Sequence, residues 1–187
     1  FVYVPATARL LASGSAGWDL AVAGIERTPG SGGALAISAP YLTTDVAVVA
    51  RRGLARPRSL ADLRTKVVCA ARGGDGDAAL ASLRPRTSPL LVTGSERLRD
   101  LLRAGACDVA LVPSFEAGRF VSGERRLLGP VVGRIRRGEG LGILVRRGGL
   151  DAAAVNRALV GLRRDGTLAR LADTWLGLDP AALPRLR

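Results

Sequence analysis

Residues 72–77 read RGGDGD, directly after the apolar run KVVCAA and directly before the helical stretch DAALASL. A strand, a glycine-rich turn and a helix in that order let a ligand approach the backbone. They also aim free N–H groups and the positive end of the helix dipole at an anionic or carbonyl group. Gly73, Gly74 and Asp75 are the candidate contacts, and Asp75 or Asp77 could instead serve only as the helix cap. The turn does not read as a nucleotide loop, because the Lys-Ser/Thr pair of a P-loop is missing. A second loop, DLAVAGIERTPGSGG at 19–33, also runs from a buried strand into a glycine, yet its last nine residues offer no obvious catalytic side chain. With no His in the chain there is no His-dependent base, and with only Cys69 and Cys107 the usual zinc and haem arrangements are excluded. No metal, no cofactor and no catalytic residue is expected.

The elements that must position these loops follow from hydrophobic patterning. Short β-branched runs, FVYVP, DLAVA, DVAVVA, KVVCAA, SPLLV, DVALV and LGILVR, alternate with helical periodicity, the pattern of an α/β fold with a largely parallel sheet. A short helix is expected over 6–13. Ser59 and Asp62 have capping-box spacing, and Ser95 is placed to cap a helix with Leu98, Leu101 and Leu102 on one face. Residues 122–139 read as irregular and basic. Two helices close the chain, one from Asp151 with Val155, Leu159 and Leu162 inward, one from Thr167 with Leu168, Leu171, Ala172 and Trp175 inward; Gly166 and Gly177 end them. Trp18, Trp175 and Tyr41 are read as packing residues.

Composition bounds the rest. At 187 residues and 48% hydrophobic content the chain can bury a real core as one domain or two small lobes, and no apolar run reaches the roughly 20 residues of a membrane span. A formal net charge of +12 would suit nucleic acid, an acidic surface or an anionic solute. The basic residues are nearly all Arg, however, and spread along the chain amid abundant Gly and Ala, which reads as coding bias plus a solvated surface; no aromatic platform supports nucleic-acid binding. The two cysteines leave open a disulfide in an exported protein or two buried thiols. With Phe1 first and no Met, a segment upstream of the sequence is expected.

The ordered set VPATARLLASGSAGWDLAVAG, ISAPYLTTDVAVVARRG, SLADLRTKVVCAARGGDGDAAL, SERLRDLLRAGACDVALV and GILVRRGGLDAAAVNRALVGLRRDGTLARLADTWLG resembles the amino-acid-type extracellular solute-binding proteins of bacterial ABC importers. The resemblance implies the two-lobed type II periplasmic-binding fold, α/β, each lobe a mostly parallel sheet flanked by helices. Lobe one would comprise 1–44 and 141–187 and lobe two 45–140, with a small-molecule solute in the cleft between them and the first strand and helix of lobe one missing. It further implies an extracytoplasmic, periplasmic or surface-anchored monomer that hands its solute to a membrane permease by hinge closure. A ligand-sensing domain of a signalling protein is the alternative. An enzyme that dehydrates small carboxylic acids would need an acid or base, for which only Glu26 and Asp75 are candidates.

The family's amino-acid anchors are not matched. After the strand the family carries two Thr and then an Arg that clamps an α-carboxylate; here those positions hold Glu26, Thr28 and Ser31, and the lobe-two Asp that meets the ammonium falls at Pro113. Gly24, Glu26, Thr28 and Ser31 are therefore the lobe-one ligand candidates, and Ser114 a further donor in lobe two. Glu26 favours a cationic or hydroxyl-rich solute over a free carboxylate, and with both anchors unmatched an ordinary α-amino acid is not the expected ligand.

Overall fold

The computed structural model describes residues 18–26, 35–124, 128–146 and 151–187; the FVYVP strand, the 6–13 helix and the 27–34 loop lie outside them. The chain divides into two compact units, residues 1–43 with 138–168, and 44–137 with 169–187.

In the first unit β1 (Leu20–Glu26), β2 (Leu35–Ile37) and β8 (Leu141–Arg146) form a sheet in the order β1-β8-β2, antiparallel at both junctions. Its small core is Ala21 and Leu144, with Trp18, Ile25, Leu35 and Ile37 packed against them. Helix α5 (Ala152–Arg164) starts at Asp151, whose side chain accepts from the Ala153 N–H at 2.9 Å. It is fastened to the strand margin by Asn156, which accepts the Ala39 N–H at 2.6 Å, and by Arg163, which donates to the Pro40 carbonyl at 2.6 Å.

The second unit has five strands: β3 (Val46–Ala50), β4 (Val68–Ala71), β5 (Leu90–Val92), β6 (Val109–Pro113) and β7 (Val131–Ile135), in the order β5-β4-β6-β3-β7. Both faces are covered, which is why these strands are apolar without alternation. Val46, Val48, Val68 and Ala70 face Leu63 of α1 (Leu60–Arg64) and Ala79, Leu80 and Leu83 of α2 (Asp75–Leu83). Ala47, Val49, Cys69 and Ala110 face Leu98 and Leu102 of α3 (Ser95–Arg103) and Phe120 and Val121 of α4 (Ala117–Val121). On that second face Cys69 and Cys107 form a disulfide, their Cα atoms 6.0 Å apart, so the thiol alternative is set aside.

Parallel pairing is confined to β5-β4-β6, where α2 and α3 supply the crossover that parallel strands require. Strand β3 runs antiparallel to both β6 and β7, so the described pairing is mixed rather than mostly parallel. Strand β7 falls within the stretch read as irregular, because Gly133 and the flanking arginines hide its apolar residues. It is the edge strand, and the chain's last residues cover it: the Arg134 N–H donates to the Pro184 carbonyl at 2.8 Å and the Leu186 N–H returns to the Arg134 carbonyl at 2.9 Å. Residues 169–187 thus pack with this unit, with Leu186 in its core.

Helix ends follow local chemistry. Ser59 and Asp62 make the expected capping box. Ser95 does not cap α3; Gly94 does, at φ 81 and ψ 158, backbone that glycine alone adopts readily. The last helix, α6 (Thr167–Leu176), buries Ala172 but leaves Leu171 49% and Trp175 66% exposed, and Leu162 on α5 is 37% exposed. The inward assignments of Leu162, Leu171 and Trp175 are thereby corrected: periodicity marks an apolar stripe but not how wide a strip its neighbour covers.

Candidate functional site

The glycine-rich turn is built as its sequence suggests. Strand β4 ends at Ala71, the Arg72 N–H extends the ladder to the Val92 carbonyl at 2.8 Å, and Gly73 turns the chain at φ 73. Gly74 is the N-cap of α2 and offers no side chain; its N–H donates to the Ala71 carbonyl at 3.3 Å. Asp77, in the first turn, reaches back and accepts the Gly73 N–H at 2.8 Å. Asp77 is therefore the carboxylate that organises the turn, while Asp75 lies exposed on the first turn. The early N–H groups of α2 have no partner within the helix by its geometry, and the positive dipole end adds to their pull on an anion or carbonyl. Gly76 serves packing instead. A Cβ there would lie 2.4 Å from the Leu111 carbonyl oxygen, so the third glycine seats the helix on β6.

Ser114 sits one residue past β6 and is fully buried. Its N–H donates to the Asp45 carbonyl at 2.8 Å and its carbonyl accepts from Ala117 at 3.4 Å, so it turns the strand into α4. The neighbouring carboxylate of Asp45, which no motif singles out, is buried as well. It accepts from the Arg134 guanidinium at 2.6 Å and from the Arg137 N–H at 3.2 Å, and Arg134 also donates to the Leu183 carbonyl at 3.1 Å. Asp45 is thus held by Arg134 and the Arg137 backbone. No spacing links Asp45 to Arg134, so only the fold could reveal the pair.

In the first unit Gly24 lies exposed inside a bulge of β1: between Ala21, opposite Leu144, and Ile25, opposite Gly142, the strand carries extra residues. Gly24 takes φ 64, the left-handed backbone that such an irregularity needs. Burial pushes the Tyr41 phenol above its ordinary range, partly offset by a backbone hydrogen bond from Gly24. Tyr41 is thus a bracket for the bulge, a contact with no sequence signal. Glu26 closes the strand, exposed and opposite Leu141. Thr28 and Ser31 lie outside the described residues. Among the described residues no cluster of three or more His, Cys, Asp or Glu could hold a metal, and no helix is long and apolar enough to cross a membrane.

A family model for bacterial extracellular solute-binding proteins, family 3, matches residues 1–178. The chain belongs to that family. Solute-binding proteins of this family capture small solutes outside the cytoplasm and work with ABC permeases, so the chain is an extracytoplasmic binding protein of that transport class. No curated protein matches it. Among solved structures, the L-cystine solute receptor of Neisseria gonorrhoeae, unliganded and open, aligns with a TM-score of 0.77 at 19% identity over 96% of this chain and 77% of its own. The second substrate-binding domain of GlnP from Lactococcus lactis, also open, aligns at 0.69 with 17% identity, over 95% and 78%. An ancestral cyclohexadienyl dehydratase aligns at 0.67 with 20% identity, over 95% and 76%. These likenesses establish the two-lobed periplasmic-binding fold for this solute-binding protein; the third shows that the same fold also carries an enzyme.

Proposed function

We propose that the protein is the solute-binding receptor of an ABC-type importer, capturing a small polar solute by closure of its two lobes, and that it acts as a monomer without enzymatic activity or nucleic acid. The observation that carries this reading is the family match over residues 1–178. The candidate ligand contacts are Gly24, Glu26, Thr28 and Ser31 from lobe one and Gly73, Gly74 and Asp75 from lobe two. Ser114 acts through the backbone turn it holds, since its buried hydroxyl reaches a solute only if the turn rearranges. Ligand binding then shifts an equilibrium between open and closed forms.

The solute is cationic or hydroxyl-rich rather than an ordinary α-amino acid. Supporting this are the exposed carboxylate of Glu26 where the family has Thr, Pro113 where it has Asp, and the engagement of Asp45 by Arg134. Thermal unfolding of the chain with amino acids, polyamines, sugars and dicarboxylates tests it. A ligand at about 100 times its Kd adds roughly 2.7 kcal/mol, a shift of several degrees. A shift with a polyamine or sugar that Glu26→Gln weakens is the expected result. A shift with an ordinary α-amino acid alone overturns the ligand assignment, and no shift with any class overturns the receptor reading.

A further inference from the structure

Arg51, Arg103, Arg134, Arg146 and Arg157 each meet a carboxylate. Around α1, Arg58, Arg64, Arg84 and Arg86 are exposed and form no ion pair among the described residues, while the half-buried Lys66 acts electrostatically on Asp62. The fold gathers them. The Arg64 guanidinium donates to the Leu83 carbonyl at 2.8 Å, the Arg86 N–H donates to the Arg64 carbonyl at 2.8 Å, and the Thr87 hydroxyl donates to the Lys66 carbonyl at 2.8 Å. The carboxylate of α1, Asp62, accepts the Arg58 and Ser59 N–H groups at 2.8 and 3.1 Å. Residues 56–66 carry four of the chain's 28 basic residues and one of its 16 acidic ones, a density above that of an even spread.

Arg84 adds a second, independent observation. It is the C-cap of α2 at φ 48 and the only non-glycine residue with positive φ among those described. Glycine or Asn would adopt that conformation at lower cost, so a long cation is held there against local preference. A cation at that C-terminal position is favoured by the negative end of the helix dipole.

We propose that this face of the second unit docks on an anionic lipid headgroup layer. The cations stand on long stems around a short helix whose one carboxylate is Asp62. A fluid sheet of negative charge requires only their density. The patch lies at the C-terminal end of α2 and the glycine-rich turn at its N-terminal end, about 13 Å apart for a nine-residue helix, so docking leaves the solute loop open. An extracellular solute-binding protein held flat against its membrane would search for its permease in two dimensions.

The test is co-sedimentation of the chain with phosphatidylcholine vesicles, with and without about 30% phosphatidylglycerol, across a salt series. Binding only to the anionic vesicles, weakening steeply with salt, is expected. Arg58→Gln/Lys66→Gln/Arg86→Gln should weaken it about tenfold or more. Arg97→Gln/Arg136→Gln/Arg164→Gln, which removes the same charge from exposed positions elsewhere, should change it little. Equal loss in both variants would show that net charge alone binds and overturn the patch. Absence of binding by the parent chain, or equally tight binding to soluble polyglutamate, would overturn the lipid assignment. Hydrogen exchange of the parent chain on vesicles, with protection expected at 58–66 and 84–86, decides the matter should the triple variant fold poorly.

Discussion

At the scale of single residues, glycines of identical type carry opposite requirements. Gly76 has the Leu111 carbonyl 2.4 Å from where a Cβ would stand, and a backbone oxygen on a central strand cannot step aside. Gly76→Ala should therefore destabilise the protein by about 2 kcal/mol, measured by urea unfolding. Gly161, inside α5, has nothing within 4 Å, so Gly161→Ala should stabilise by about 0.5–1 kcal/mol through backbone entropy alone. Titration adds a residue-scale prediction. Backbone hydrogen bonds from Arg58, with that from Ser59, hold the Asp62 carboxyl below its usual range. A depressed folded pKa means that its contribution is present above the unfolded value and lost as pH falls through the folded one. The α1 cap should thus loosen only below about pH 4, seen as falling protection of the Ser59 and Asp62 amides, and Asp62→Asn should abolish that pH dependence.

Among elements, the edge strand and the tail behave as one. Arg134 neutralises buried Asp45 with one nitrogen and grips the tail carbonyls of Ala181 and Leu183 with others. Gly133 beside it would bring a Cβ within 2.9 Å of the Pro184 carbonyl, so the missing side chain admits the tail over β7. Arg134→Ala leaves the Asp45 carboxylate buried without its cation and should cost about 3 kcal/mol. Hydrogen exchange should rise at 183–187 first. The double change Asp45→Ala/Arg134→Ala should cost less than the sum of the single changes, since the uncompensated charge is gone.

Across the whole molecule, the disulfide is the long-range constraint. It ties positions 38 residues apart in the centre of the second unit and is buried at both ends. Closing a loop of that length restricts the unfolded chain by about 4 kcal/mol in the chain-entropy account. The Cys69→Ala/Cys107→Ala protein should lose about that much by urea unfolding, and the oxidised parent should resist reductant until it unfolds. A buried disulfide also fits an oxidising compartment, in keeping with an extracellular solute-binding family.

Much of this was legible along the chain because its causes are local. The strands at 46–50, 68–71 and 109–113 follow from β-branched runs, the Ser59 box and the Asp151 cap from short-range hydrogen bonding, and the turn at 73–77 from glycine spacing. Family membership followed from the order of such segments. What the tertiary structure alone decided depends on residues far apart in sequence. The pairing of Asp45 with Arg134, the bond between Cys69 and Cys107, the tail segment over β7 and the Tyr41 bracket on Gly24 are all of this kind. So are the exposure of Trp175 and the burial of Ser114, because a side chain's own stretch sets its direction, but only the elements packed against it determine whether water reaches it.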